Sequence, residues 1–225
     1  MAMTFAELVT ITKRHLDMEL ADADDPKAPD TLIRSMLNFG QIETVRRLSD
    51  CFFRKSVVVD ATAGMIDLPS DFLCGLIVKY KGGTTDGWRR LNVTPVLNLD
   101  DKWLHITSTS GDPQVATLNA GSAGVIQLQL WPELTSTVTD GLTLSYNWKP
   151  ADLDEDTDTS SVTSMFPDIE PVLLPAFAAW HIKLFENGVE DEQVSKWQQI
   201  YEGSLRRVRK AVDGLMVDNA TWTGR

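Results

Sequence analysis

The hydrophobic periodicity of the chain changes twice. It is helical up to about Lys55, strand-like from there to about residue 150, and helical again after Pro167. This pattern limits the fold more than composition does. Residues 4–20 place Leu8, Ile11, His15 and Met18 at helical spacing, with Thr4 positioned to cap and Glu7 as its capping-box partner. An Asp- and Pro-rich loop over 21–29 follows, and Pro29 or Asp30 opens a second helix. Its run DTLIRSMLNFGQIETVRRLSDCFF sets Ile33, Leu37, Gly40, Thr44, Leu48 and Cys51 on one stripe. Arg34, Gln41, Glu43, Arg46 and Arg47 are left for the polar faces. Near the other end, Val172, Leu173, Ala176, Phe177, Trp180 and Leu184 form an apolar face that stops at an Asn187-Gly188 cap. A last helix over 190–213 aligns Val194, Trp197, Tyr201, Leu205, Val208 and Val212. The short connection between these two helices predicts an antiparallel helical hairpin.

Between the helical ends lie short β-branched and aromatic runs separated by turn residues. Strands are predicted over 56–60, 65–68, 76–80, 88–93, 114–119, 124–131 and 142–148, with an ambiguous stretch at 96–103 feeding another at 103–107. Val57 and Val59, then Ile66 and Leu68, across the Ala63-Gly64 turn, suggest a hairpin. The expected fold is α+β. N- and C-terminal helices form a bundle, because neither amphipathic end buries its stripe alone, and an antiparallel β-sandwich or barrel-like domain is inserted between them. The expected divisions are 1–55 for the first helices, 56–150 for the β-rich insertion, 151–166 for an acidic loop, 167–213 for the helical hairpin, and 214–225 for an extended tail. The stretch ADLDEDTDTSSVTS reads as a solvated loop or mobile linker.

The 225 residues suffice for one large domain or two small ones, and 43% hydrophobic content argues against global disorder. No run approaches the roughly 18 apolar residues of a membrane span, so no membrane partner is expected. The opening MAMTFAELVTITKRH lacks the pattern of a secretory signal. Cys51 and Cys74 are too few for a disulfide framework or a structural zinc site and suit reduced thiols in a cytoplasm. The net charge of −11 disfavours a chain that grips DNA by its phosphates, although an acidic wall lets DNA pass with little friction.

Signals of chemistry are sparse. His15, His105 and His181 have no metal-ligand spacing, and HExxH, CxxC, GxSxG, P-loop and GxGxxG patterns are missing. The Gly82-Gly83 pair reads as a hairpin tip. Asp152, Asp154, Asp156 and Asp158 alternate loosely like a calcium loop but lack the Gly and Glu that such a loop needs. No cofactor, metal or catalytic residue is expected. Trp88, Trp103, Trp131 and Trp148 lie in the β region, where core and interface packing competes with a sugar platform. Arg206, Arg207, Arg209 and Lys210 form the one basic cluster, suited to the end of the last helix or to contact with DNA or an acidic partner.

Several runs resemble, in order, those of tailed-bacteriophage head-to-tail adaptor (connector, neck-ring) proteins. LIRSMLNFGQIETVRRLSDCF is similar to the family's second helix, and VVVDATAGMIDLPSDFL to its next strand, turn and xLPxDF-like segment. VIQLQLWPEL and LTLSYNWKPADL resemble its late strand pair, and WHIKLFENGVEDEQVSKWQQIYEGSLRRVR its closing helices. The likeness extends to podophage tail tubular A-like and tail accessory adaptors. It implies a non-enzymatic virion protein at the head-tail junction, made in the host cytoplasm. Such a protein forms a ring, usually a dodecamer, beneath the portal. The ring extends the channel for double-stranded DNA and receives a tail, stopper or nozzle protein. It also implies portal docking by 214–225, with Leu215, Met216, Val217 and Trp222 as apolar anchors. The alternative function is a β-rich glycan- or receptor-binding tail component.

Overall fold

The computed structural model describes residues 3–17, 28–48, 53–82, 87–95, 111–121, 125–162, 172–188 and 192–220. The chain is mixed α+β and divides into two compact units. One comprises Met1–Cys51 with Lys149–Arg225, and the other Phe52–Trp148.

The first unit holds four helices among the described residues: α1 (Phe5–His15), α2 (Asp30–Arg47), α3 (Leu173–Asn187) and α4 (Glu192–Ala220). The expected capping box starts α1. The Thr4 hydroxyl accepts from Glu7 N–H at 3.3 Å, and the Glu7 carboxylate accepts from Thr4 N–H at 2.8 Å. Helix α3 is apolar nearly all round, with Leu173, Leu174, Ala176, Phe177, Ala178, Ala179 and Ile182 all buried. A helix of that kind must be covered on several sides, and α3 packs against α1, α2 and α4. It ends at Gly188, whose φ of 79° suits a residue without Cβ.

Helix α4 buries Val194, Trp197, Tyr201, Leu205 and Val208, the stripe read from its sequence. It does not stop at 213. Gly214 to Ala220 continue the helix, so the expected extended tail is helical over those residues, because one Gly costs only about 1 kcal/mol in a helix. On α2 the expectation for Gln41 also fails: it is 1% exposed rather than on a polar face.

The second unit is a seven-stranded sheet of β1 (Arg54–Ala61), β2 (Met65–Asp67), β3 (Phe72–Tyr80), β4 (Arg89–Pro95), β5 (Val115–Ala120), β6 (Ile126–Trp131) and β7 (Val138–Trp148). Its order is β1-β7-β3-β4-β5-β6-β2. The expected β1–β2 hairpin does not form. β1 pairs with β7 and β2 with β6, which makes these two sequence neighbours the opposite edges of the sheet. Only Thr62, Ala63 and Gly64 connect them, a reach of about 14 Å for four steps of chain. Six inter-strand spacings in a flat sheet would hold the edges about 29 Å apart. The sheet therefore curls until it nearly closes, and it is barrel-like rather than a sandwich.

The sheet is not purely antiparallel, since β4 and β5 run parallel, Asn92 opposite Val115 and Pro95 opposite Leu118. A parallel pair needs a long connection, and residues 96–114 separate the two strands in sequence. The ambiguous stretch at 96–103 and the strand expected at 103–107 lie outside the described residues. The curled sheet encloses a core that includes Val78, Tyr80, Leu128, Leu142, Leu144 and Tyr146.

Candidate assembly surfaces

Over its described residues the acidic stretch after β7 keeps Asp152, Asp154, Glu155 and Asp156 exposed, as a solvated loop does, yet it is tied to the helices. Residues 151–160 form a strap over α1 and α2. Two first-turn N–H groups of α1 donate to it, Phe5 to Asp158 O at 2.7 Å and Ala6 to Asp156 O at 3.2 Å. These belong to the four donors that every helix start leaves without an internal partner. Asn38 on α2 grips Leu153 by both backbone groups. Its Oδ1 accepts from Leu153 N–H at 2.8 Å, and its Nδ2 donates to Leu153 O at 3.2 Å. Gln41 lies beneath. Its Nε2 donates to Asn38 Oδ1 at 3.1 Å and to Ala151 O at 3.4 Å, and its Oε1 accepts from the Ser160 hydroxyl at 2.6 Å. Leu153, Ser160 and Val162 are buried, and Arg34 pairs with Asp156.

The strap thus has buried anchors and an outer row of carboxylates. Asp154 and Glu155 are exposed at its turn, and their N–H groups each donate to the Asp158 carboxylate at 2.8 Å. Those two bonds hold Asp158 ionised below its ordinary range. The carboxylates do not converge on a cation site. Among the described residues no group of three or more His, Cys, Asp or Glu side chains is placed to hold a metal ion.

The two described histidines are packing residues. His15 stacks on Trp197 at 4.3 Å between ring centroids. His181 lies 4.3 Å from Phe177 and 4.5 Å from Trp180. Burial lowers the pKa of both, with Lys196 adding to the effect at His15. Tyr201 joins the same aromatic group, 5.1 Å from Phe177, and its hydroxyl lies 3.4 Å from that of Thr44. Burial raises its pKa to about 12. His105 lies outside the described residues.

Phe39 flanks His181 at 6.2 Å, and Phe185, one turn further along α3, is 73% exposed. Both Phe residues face solvent, where singly exposed apolar groups are common. Their sequence signal was slight, since each sits one position off an apolar stripe.

The basic cluster falls on α4, where Arg206, Arg207, Arg209 and Lys210 are exposed on either side of buried Val208. Leu215, Met216 and Val217 occupy the last two turns of α4, and Trp222 lies outside the described residues. Cys74 is a free thiol in β3, whereas Cys51 is outside the description.

In the β unit, Asp71 from the LPSDF run clips two strands. Its carboxylate accepts from Tyr146 Oη at 2.6 Å and pairs with Lys55 Nζ at 2.8 Å. Burial alone would raise the Asp71 pKa, but these bonds outweigh it and the net direction is down. Of the described sheet tryptophans, Trp88 is exposed, beneath the Lys81 ammonium at 5.6 Å. Trp131 donates Nε1–H to Thr117 at 3.1 Å, and Trp148 packs on the core beside Phe53. Among the described residues no helix is long and apolar enough to cross a membrane.

The described residues thus hold packed histidines, exposed charged groups and two exposed Phe rings. Residues 3–223 match the SU10 adaptor protein family, and the chain belongs to it. This is a family of structural adaptors, not of enzymes. No curated protein gives a significant match.

Proposed function

We propose that this chain is a structural head-to-tail adaptor of a tailed-phage virion, of the podophage connector type. In this reading copies form a ring, a dodecamer, beneath the portal; the ring extends the channel for double-stranded DNA and seats a tail, stopper or nozzle protein. The observation that carries the reading is the family match over 3–223, nearly the whole chain. Two features support it. Sequence-distant ends combine in one compact unit, in which the four helices act as the bundle that builds the ring, with the curled sheet as the inserted platform. The net charge of −11 suits a conduit that must not bind DNA as it passes. A glycan-binding role asks for several exposed aromatic rings on one face, and among the described sheet tryptophans Trp88 stands alone.

Portal docking falls to the end of α4, with Leu215, Met216 and Val217, and to Trp222 beyond it. The test mixes the full chain with the portal of the same virion and images the product by negative stain. Rings of high rotational symmetry seated on portals are expected. No ring, with or without the portal, sinks the adaptor reading. A chain lacking 214–225 is expected to lose only the helical signal of the deleted turns, to unfold as cooperatively as the full chain, and to lose portal attachment, and retained attachment refutes the docking assignment.

A further inference from the structure

The helical unit presents opposite charges on two separate elements. Arg206 and Lys210 are exposed on α4 one turn apart, and so share a face. Asp154 and Glu155 are exposed at the turn of the strap. The strap's neighbouring acids are engaged, Asp152 with Lys149 and Asp156 with Arg34. Among the described residues no ion pair links the strap to α4. The anionic turn is also held rigid, by the Asp158 carboxylate on its N–H groups and by Asn38 on Leu153. A rigid partner loses little entropy on docking.

We propose that the Arg206–Lys210 face of α4 docks the acidic strap of a second copy of this chain. The argument is charge complementarity. A chain of net charge −11 repels its own copies in general, so close approach is favoured where a cationic face meets an anionic one. The chain itself carries both halves. Two different surfaces meeting head to tail give a heterologous contact, which closes into a ring when the rotation allows. The inference rests on the adaptor reading and specifies a contact within its ring.

The experiment uses the full chain, alone and on the portal, with assembly followed by native mass spectrometry and negative stain. R206E/K210E and D154K/E155K are each expected to weaken assembly at least about tenfold, and the two combined to restore it. All four side chains are exposed, and circular dichroism checks that each variant folds. Raising salt from about 0.1 M to about 1 M cuts the screening length from about 10 Å to about 3 Å, and it is expected to weaken the wild-type ring but to leave a ring built by other contacts unchanged.

Rings that form normally in both reversed variants, or a combined variant that fails to recover, overturn the proposal and leave the adaptor reading standing. Duplex DNA binding that R206E/K210E abolishes, with self-assembly unchanged, assigns the face to nucleic acid instead and also overturns it. A wild-type chain that forms no ring under any condition removes the adaptor reading and this contact together.

Discussion

Replacing Gln41 with leucine tests whether the strap is held from beneath. Gln41 is 1% exposed and makes three side-chain hydrogen bonds, to Asn38, Ala151 and Ser160. Leucine has similar bulk, so no large cavity forms and the cost is polar. The contact at 2.6 Å joins two buried groups, and its loss deprives the Ser160 hydroxyl, itself 0% exposed, of its Gln41 partner. Each of the three bonds lost is worth about 0.5–1.5 kcal/mol, and the Ser160 hydroxyl keeps the Val162 N–H at 3.2 Å. The expected loss is about 2–4 kcal/mol, or roughly 4–16 °C in the melting of a domain of this size. The assay is urea and thermal unfolding followed by far-UV circular dichroism. Ser160→Ala alone is also destabilising, but removing both partners costs less than the sum, because the bond they share is then lost only once. A coupling of about 1–2 kcal/mol is expected in the double-mutant cycle. Strict additivity, or a Gln41→Leu loss below about 0.5 kcal/mol, refutes the account of the strap as a buried polar clasp.

Two further predictions concern packing and pH. A Cβ at Gly40 would lie 2.9 Å from Cδ1 of Phe177, a ring already wedged against His181 and Tyr201; Gly40→Val is expected to destabilise by about 1–3 kcal/mol, and a rise in melting temperature would refute the tight α2–α3 contact. The lowered pKa of Asp71 means that its share of stability is present above the ordinary value of 3.8 and is lost as pH falls through the lower folded value. Urea midpoints measured from about pH 7 to about pH 3 should fall more steeply for wild type than for Asp71→Asn, and parallel profiles would refute the clip to Lys55 and Tyr146.

The legible parts of the fold were those written locally. Thr4 and Glu7 announced the start of α1, and the apolar face of α3 and the stripe of α4 announced burial, although Leu174, Ala178, Ala179 and Ile182 widen the buried surface of α3 beyond that face. Strand positions also followed from alternation, to within a few residues. Strand partners did not, because Val57 and Val59 fit any apolar neighbour face, and the β1 partner lies far away in sequence on β7, with Val57 opposite Leu144. The parallel β4–β5 pair was hidden for the same reason. Helix α4 outran its expected end because Leu215, Met216 and Val217 keep the apolar content that Gly214 interrupts only once. The strap was misread through composition. Its acids outnumber its apolar groups, and the anchors Leu153 and Val162 were passed over among them. Gln41 was misplaced because a glutamine next to a stripe looks solvent-bound until its partners on a distant segment are known.

The strap combines two kinds of face in one short segment. Leu153 and Ser160 turn inward and are buried, while Asp154, Glu155 and Asp156 turn outward and are exposed. The inward groups close a long loop, since the chain leaves the helical unit at about residue 51 and re-enters at about 149. The closure entropy of such a loop grows only slowly with its length, so a few good buried hydrogen bonds suffice to hold the ends. The outward groups contribute little to folding, because exposed ion pairs such as Arg34–Asp156 are worth at most about 1 kcal/mol. They are therefore free to serve association. The two faces should respond to different changes. Gln41→Leu is expected to lower melting temperature while leaving the salt dependence of ring assembly as it was. D154K/E155K is expected to do the reverse. Assembly that tracks stability across both variants would mean that the strap acts only as a structural closure.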